Sequence, residues 1–273
     1  MAPRRLFTAL TCLATCLAVS APGPAGAADR AVDLELVLAV DISGSIDPDE
    51  ATLQRAGYVS AFRSPELIAA VEGGLLGRLA VVYMEWAGHG THEVLVDWTE
   101  IAGAREAHAF ADALAAMPVL TARRTSISEA IDYAVTLFDA NGFEGTRRVI
   151  DVSGDGPNNY GRLVVDARDD ALARGLTING LPIVAERASR WGWPPMPNLD
   201  LFYRDCVIGG PGAFLVAVRD YDHFGDAIRK KLVLEIAGRA PVPRARLWRV
   251  AEVREAPPCD IGELMWRRLV EDW

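Results

Sequence analysis

Oxygen-bearing side chains cluster at the end of the apolar run at residues 34–40. Asp41, Ser43 and Ser45 directly follow this run, and Gly44 stands between the two serines. Short carboxylate and hydroxyl side chains are ligands of the kind that a hard cation such as Mg²⁺ prefers. The same side chains also cap helices and close turns, because they satisfy free backbone amides. The cluster alone therefore permits two interpretations, a cation site and a capping turn.

Two later segments carry the same kind of side chain. Thr125 precedes a segment whose apolar residues recur at helical spacing from Ile127 to Phe138, and Asp155 follows a predicted strand at residues 148–153. In an open α/β sheet, ligands bind beyond the carboxyl ends of the strands, where such loops meet. The three loops could together supply an oxygen shell for a divalent cation.

The elements that must position these loops alternate between strand and helix. Strands are predicted at residues 34–40, 79–86, 92–98, 148–153, 176–184 and 213–218. The glycine-containing turn at residues 87–90 predicts a hairpin and hence one antiparallel edge strand. A single helix is expected over residues 49–70. The sequence predicts an α/β fold with a doubly wound, mostly parallel sheet flanked by helices.

The three loops together resemble the metal-ion-dependent adhesion site of von Willebrand factor A domains. The resemblance spans about residues 32–236 and implies the Rossmann-like fold of that family. It also implies a bound Mg²⁺ or Mn²⁺. Hydroxyl groups would bind the cation directly and carboxylates would act largely through water, so the expected metal site consists of Asp41, Ser43, Ser45, Thr125 and Asp155.

Three further stretches resemble a narrower group of proteins. Glu85-Trp86, the "VSGDGPNN" of residues 152–159 and the "VIGGPGAF" of residues 207–214 are similar to an uncharacterised bacterial family of secreted A-domain proteins. That domain of unknown function has no established activity to carry over. One departure from the wider pattern is Gly154, where many A domains have threonine. It affects the hydrogen bonding of the loop and removes no metal oxygen.

Charge indicates what such a site would bind. The chain has a formal net charge of −9, which argues against nucleic acid and anionic membranes as partners. The open position of the cation accepts an acidic side chain, so the expected partner is a protein that offers Asp or Glu. Arg123 and Arg124 precede Thr125, and Arg162 follows Asp155. These arginines are predicted to guide the partner to the site.

The N-terminal segment has the pattern of a secretory signal peptide over residues 1–27. Arg4 and Arg5 precede an apolar run that ends in the small residues Ala25-Gly26-Ala27. The protein is therefore expected to be exported, to the periplasm or the extracellular space. No membrane span is expected in the mature chain.

The remaining chain is expected to form an A-like domain over residues 28–238 and a tail over residues 239–273 packed on it. Cys206 and Cys259 are the cysteines left after cleavage of the leader. In an oxidising compartment they predict a disulfide, and two separate thiols are the alternative.

Two other functions stay open beside a non-enzymatic, protein-binding module. A metal-dependent hydrolase could use Asp41 or Asp155 at the same edge of the sheet. A glycan- or peptide-binding module could use Trp191 and Trp193, because aromatic anchors recur at recognition surfaces. Against the enzyme, Asp151 stands where a nucleophile elbow around Ser153 requires glycine. The favoured interpretation is the metal-dependent binding module.

Overall fold

The computed structural model describes residues 28–184, 195–219, 224–238 and 254–271. The predicted signal peptide and the tryptophans Trp191 and Trp193 lie outside these residues. Within the described ranges, no helix combines the length and the apolar character that crossing a bilayer requires.

The described strands form one main sheet and one small one. They are β1 Arg30–Val32, β2 Leu34–Asp41, β3 Leu79–Trp86, β4 His92–Ile101, β5 Phe143–Gly145, β6 Arg148–Gly154 and β7 Thr177–Pro182. The five-stranded main sheet has the order β4-β3-β2-β6-β7, and only the β3–β4 pair is antiparallel. β1 and β5 pair separately. The predicted fold class, including the antiparallel edge strand, is confirmed.

Helices cover both faces of this sheet. They are α1 Pro48–Phe62, α2 Pro65–Glu72, α3 Ala104–Ala116, α4 Ile127–Thr136, α5 Val164–Ala173, α6 Leu199–Phe202, which continues as a π-helix at Tyr203–Val207, α7 Phe224–Ile236 and α8 Ile261–Glu271. The single helix expected over residues 49–70 is in fact two helices. Ser64 caps α2 by accepting from Leu67 N, and Pro65 lacks the N–H that a continuous helix needs.

Alternate residues of β2 enter two separate hydrophobic cores. Leu36 and Leu38 pack with α1, α2, α3 and α7, while Val37 and Ala39 pack with α4, α5 and the π-helix. A strand that is buried on both faces must be apolar on both faces. This explains the nearly unbroken apolar run that precedes Asp41.

The predicted last strand at residues 213–218 is not a continuous strand. It makes isolated parallel bridges, Gly180 with Leu215 and Ile183 with Val218. The Phe214 amide donates to the Asn179 side chain over 2.9 Å and not to a strand carbonyl. The Asn179 side chain thus accepts a hydrogen bond that a strand carbonyl would accept in a regular β-ladder.

Candidate metal-binding site

The first candidate loop turns sharply where β2 ends. Ser43 N donates to Asp41 Oδ1 over 2.7 Å, and Ile46 N donates to Ser43 O over 3.0 Å. The hydroxyls of Ser43 and Ser45 are hydrogen-bonded to each other at 3.0 Å. Asp41 and Ser43 are buried. The turn therefore gathers three oxygen-bearing side chains at the carboxyl end of the central strand.

Asp155 brings the second loop to the same point. Ser45 Oγ donates to Asp155 Oδ1 over 2.5 Å, although 110 residues separate them in sequence. The contact follows from the sheet, because β2 and β6 are parallel neighbours and Val40 pairs with Ser153. Their carboxyl ends therefore lie side by side, as expected for an open α/β sheet.

Thr125 reaches this edge from the loop before α4. Its side chain is buried, and a carbon added to Gly156 would lie 3.8 Å from Thr125 Oγ1. The backbone of Thr125 exchanges two hydrogen bonds with Asn159, from Thr125 N to Asn159 Oδ1 at 3.0 Å and from Asn159 N to Thr125 O at 2.9 Å. All five residues expected at the metal thus lie at one edge of the sheet.

Two asparagines of the "VSGDGPNN" stretch tie these loops together, a contact that the sequence did not predict. Beside Asn159, the fully buried Asn158 accepts from Ser128 N over 3.0 Å. It donates to Arg162 O over 3.1 Å and to Glu263 Oε1 over 2.7 Å. Consecutive asparagines in the loop after β6 were the available signal, because an amide side chain can donate and accept at once.

The carboxylates of this edge are costly to keep charged. Burial, and next the Asp155 charge, raise the pKa of Asp41 well above its usual range. Asp41 Oδ2 is buried and has no hydrogen-bond partner in the described part of the chain. A divalent cation would offset both effects, since it favours the ionised form of each carboxylate.

The chemistry of the donor set agrees with a hard cation. Residues 28–184, 195–219, 224–238 and 254–271 contain no group of three or more His, Cys, Asp or Glu side chains that could hold a metal. The gathered oxygens instead belong to two carboxylates and three hydroxyls. Such ligands suit Mg²⁺ or Mn²⁺ better than a thiolate- or imidazole-bound metal.

Asp155→Asn is expected to stabilise the protein when EDTA removes divalent cations. Loss of hydration raises the pKa of Asp155 to about 6. A raised pKa favours folding while the group is protonated, and this contribution is lost as the pH rises from about 4 through 6. At about pH 7.5 the unfolding free energy of the variant should therefore exceed that of the wild type by roughly 2 kcal/mol. This value is lower than the full pKa shift would give, because Asp155 is partly exposed.

Thermal melts of both proteins in EDTA at about pH 4 and about pH 7.5 measure this difference. The stabilities of the two proteins should become similar at the lower pH. Only the wild type should melt at a higher temperature when Mg²⁺ is added. A variant that is less stable than the wild type at the higher pH would contradict a strained carboxylate at this position.

The three arginines that were expected to guide a partner differ in their surroundings. Arg123 is exposed. Arg124 has a positive φ of 70°, and its guanidinium lies 3.4 Å from the ring centre of Trp266 in α8. Arg162 makes ion pairs of 2.6 Å with two carboxylates, those of Asp132 and Asp170. Arg162 is therefore already paired within the domain, and Arg124 is held against an aromatic ring.

The C-terminal segment lies against the loop that follows Asp155. Cys206 and Cys259 form the predicted disulfide, which is confirmed. A side-chain carbon on Gly262 would lie 1.9 Å from Asn158 O, so α8 approaches this loop as closely as a glycine allows. Together with the stacking of Trp266 on Arg124, these contacts place α8 directly beside the candidate site.

Comparison with known protein families gives one match. The model of a protein of unknown function (DUF1194) matches residues 31–240. The chain belongs to the DUF1194 family. No curated protein matches it.

Solved structures share the fold of this DUF1194 chain at low sequence identity. Proximal thread matrix protein 1 from the mussel byssus has a TM-score of 0.56 at 13% identity, covering 77% of this chain and 49% of its own. The pilus adhesin SpaC from Lactobacillus rhamnosus GG has a TM-score of 0.55 at 12% identity, covering 77% and 32%. Another structure of the mussel protein, with a zinc-occupied MIDAS motif, has a TM-score of 0.50 at 12% identity, covering 75% and 47%.

The DUF1194 chain therefore spans about half the length of the mussel protein and about a third of the adhesin. At these identities the likeness shows the fold. The von Willebrand factor A fold that the sequence predicted is confirmed.

Proposed function

We propose that this protein is an exported binding module that holds Mg²⁺ or Mn²⁺ and engages an acidic residue of a protein partner through it. The buried Asp41 carboxylate carries this assignment. Its Oδ2 has no hydrogen-bond partner in the described ranges, and its Oδ1 accepts a hydrogen bond from the backbone N–H of Ser43. Ionising a buried carboxyl group of this kind is costly unless a cation compensates its charge.

The residues of the site have distinct roles in this proposal. The neutral hydroxyls of Ser43, Ser45 and Thr125 would bind the cation, and the carboxylates of Asp41 and Asp155 would supply negative charge around it. A cation with few charged direct ligands keeps its affinity for a further carboxylate. The zinc-occupied MIDAS motif of the mussel protein and the adhesin description of SpaC support such a role by likeness of fold.

Steering of the partner falls mainly to Arg123 in this proposal. Arg123 is exposed next to Thr125, whereas Arg124 stacks on Trp266 and Arg162 is paired with acids. A local positive charge offsets the long-range repulsion between an acidic protein and an acidic partner. Arg124 and Arg162 would then hold the structure of this edge and contribute little to the attraction of the partner.

Export and domain organisation belong to the same proposal. A signal peptide at residues 1–27 would direct the chain out of the cytoplasm, to the periplasm or beyond. The Cys206–Cys259 disulfide is the kind of bond that persists in an oxidising compartment. Residues 28–238 would form the A-like domain and residues 239–273 the tail attached by this disulfide.

A serine hydrolase with a nucleophile elbow at Ser153, as distinct from the metal-dependent hydrolase that would use Asp41 or Asp155, gains no support. Its hydroxyl is buried in β6 and accepts from Tyr58 Oη over 3.4 Å, in the core and away from solvent. A nucleophile must be reachable by its substrate. The proposal therefore assigns no catalytic residue.

Mg²⁺ is expected to raise the melting temperature of the wild-type protein. A ligand of the native state contributes roughly 2.7 kcal/mol when its free concentration is about 100 times Kd, which raises the melting temperature of a domain this large by several degrees. Asp41→Ala and Thr125→Ala should abolish the rise. Ser64→Ala is the matched control, because it removes a buried hydroxyl from a helix cap remote from the site.

The partner experiment uses the same variants. Wild-type protein and Thr125→Ala protein are incubated with envelope extract, with Mg²⁺ or with EDTA, and the bound proteins are identified. A genuine partner should be retained only by the wild type and only with Mg²⁺. Equal thermal responses in the wild type and in both site variants would place the cation elsewhere and overturn the proposed function.

A further inference from the structure

Tyr203 in the π-helix is completely buried against two glycines of the sheet. A side-chain carbon on Gly180 of β7 would lie 2.9 Å from Cδ1 of its ring, and one on Gly154 of β6 would lie 2.8 Å from its hydroxyl. Neither glycine has a positive φ, so the backbone at both positions would accept a side chain. The two glycines therefore serve to make room for the tyrosine.

The Tyr203 hydroxyl shares this space with the carboxylate of the candidate site. Asp41 Oδ2 also lies 2.8 Å from the position of a carbon on Gly154. The two oxygens are thus no more than twice that distance apart, a span that one water bridges with two hydrogen bonds. Both oxygens are buried, and neither has a hydrogen-bond partner among the described residues. Buried polar atoms without partners are rare and call for an explanation.

The protonation state of the phenol suits it to act as a donor. Burial raises the pKa of Tyr203 well above its usual range, and the charges of Asp41 and Asp155 raise it further. A phenol that keeps its proton can donate, and the ionised carboxylate that a bound cation favours can only accept. The Tyr203 hydroxyl is therefore a suitable donor, and Asp41 Oδ2 a suitable acceptor, on either side of the space above Gly154.

We propose that Tyr203 is a positioning residue of the cation site, whose hydroxyl donates to Asp41 Oδ2 through one buried water above Gly154. This role rests on the proposed function of the site. Ser43 N holds Oδ1 of the same carboxylate, so Asp41 would be fixed at both oxygens. Cys206 lies in the same π-helix as Tyr203, and its disulfide to Cys259 ties that helix to the C-terminal segment.

Tyr203→Phe separates the hydroxyl from the packing of the ring. Its dissociation constant for Mg²⁺, measured by isothermal titration calorimetry, should rise about tenfold, as is typical when a partner of a metal-site side chain is removed. Its melting temperature in EDTA should change little, because phenylalanine fills the same slot. Tyr83→Phe is the matched control, since it removes another fully buried hydroxyl that makes no hydrogen bond by distance and angle within the described residues, on the opposite face of the sheet.

A second variant tests the shared space directly. Gly154→Ser should destabilise the wild type, because its side chain meets both the Tyr203 hydroxyl and Asp41 Oδ2. In the Tyr203→Phe background the contact with the tyrosine hydroxyl is gone and only the contact with Asp41 stays, so the serine should be tolerated better. Its own hydroxyl can donate to Asp41 and should recover part of the lost Mg²⁺ affinity. Such coupling is expected of groups in contact.

The outcomes separate this inference from the proposed function. Weaker Mg²⁺ binding by Tyr203→Phe but not by Tyr83→Phe supports the positioning role. Wild-type affinity in Tyr203→Phe overturns the role of Tyr203 and leaves the cation site standing. Absence of Mg²⁺ binding in the wild type overturns both.

Discussion

Replacing Lys231 by methionine is expected to cost the domain about 3–5 kcal/mol of unfolding free energy at neutral pH. Lys231 in α7 is buried, and its Nζ lies 2.5 Å from Asp151 Oδ1 and 3.2 Å from Glu235 Oε2. Both carboxylates are buried too. Methionine would keep most of the packing but leave two carboxylates in the core without their cation, which is the most costly way to break a buried ion pair.

The loss in Lys231→Met should shrink as the pH falls. Burial, with a further contribution from the Asp151 charge, already raises the pKa of Glu235 to about 7 although Lys231 lowers it. Without Lys231 the pKa should rise further. A raised pKa stabilises the fold while the carboxyl is protonated, and this stability is lost as the pH rises through the pKa. The variant should therefore regain much of its lost unfolding free energy at about pH 5.

Urea unfolding at about pH 5 and about pH 8 measures this recovery. Lys230→Met is the matched control, because Lys230 is the adjacent lysine and its side chain is exposed. It should change the unfolding free energy very little at either pH. Equal losses in the two variants, or a loss in Lys231→Met that does not depend on pH, would show that the buried ion cluster is not what stabilises this region.

Removing the Cys206–Cys259 disulfide is expected to cost about 4 kcal/mol. The two cysteines are 53 residues apart. Opening a loop of this length increases the conformational entropy of the unfolded chain and so favours unfolding. Alanine is the suitable replacement, since Cys206 is completely buried and serine would place a hydroxyl in the core. Urea unfolding of the oxidised wild type and of the double alanine variant gives the difference.

The single variants provide the control for this loss. Cys206→Ala and Cys259→Ala each break the same bond, so either one should cost nearly as much as both together. Reduction of the wild type should give a similar loss. If the two single losses add up in the double variant, the cost comes from packing at two separate positions and not from the link.

The main elements of the fold were predictable because their signals are local. The helix α4 shows its apolar residues at helical spacing, and β2 shows the continuous run of a strand buried on both faces. The break between α1 and α2 was missed although Pro65 marks it, because the apolar pattern continues across the break. Asp41 and Asp155 could be expected to meet, since both follow parallel strands of one sheet.

Other parts of the site depend on contacts that no local pattern encodes. Tyr203 reaches Asp41 only because Gly154 and Gly180 leave a slot across neighbouring strands. Asn158 acquires its role from Ser128 and from Glu263 in the distant helix α8. In both cases the side chain is specified by a neighbour that is remote in sequence, so a single sequence shows the residue but not its partner.

The hydrogen bond between Ser45 and Asp155 also has a consequence for the order of events during biosynthesis. Because 110 residues separate the two, β2 can pair with β3 long before β6 has been made. The other edge of β2 must wait unpaired during that time, and an open, apolar strand edge invites wrong partners. At that stage two of the five residues proposed for the cation, Thr125 and Asp155, do not yet exist, so the unfinished chain would lack a complete site. Under the proposed function, the cation would therefore be acquired late, by a nearly complete domain.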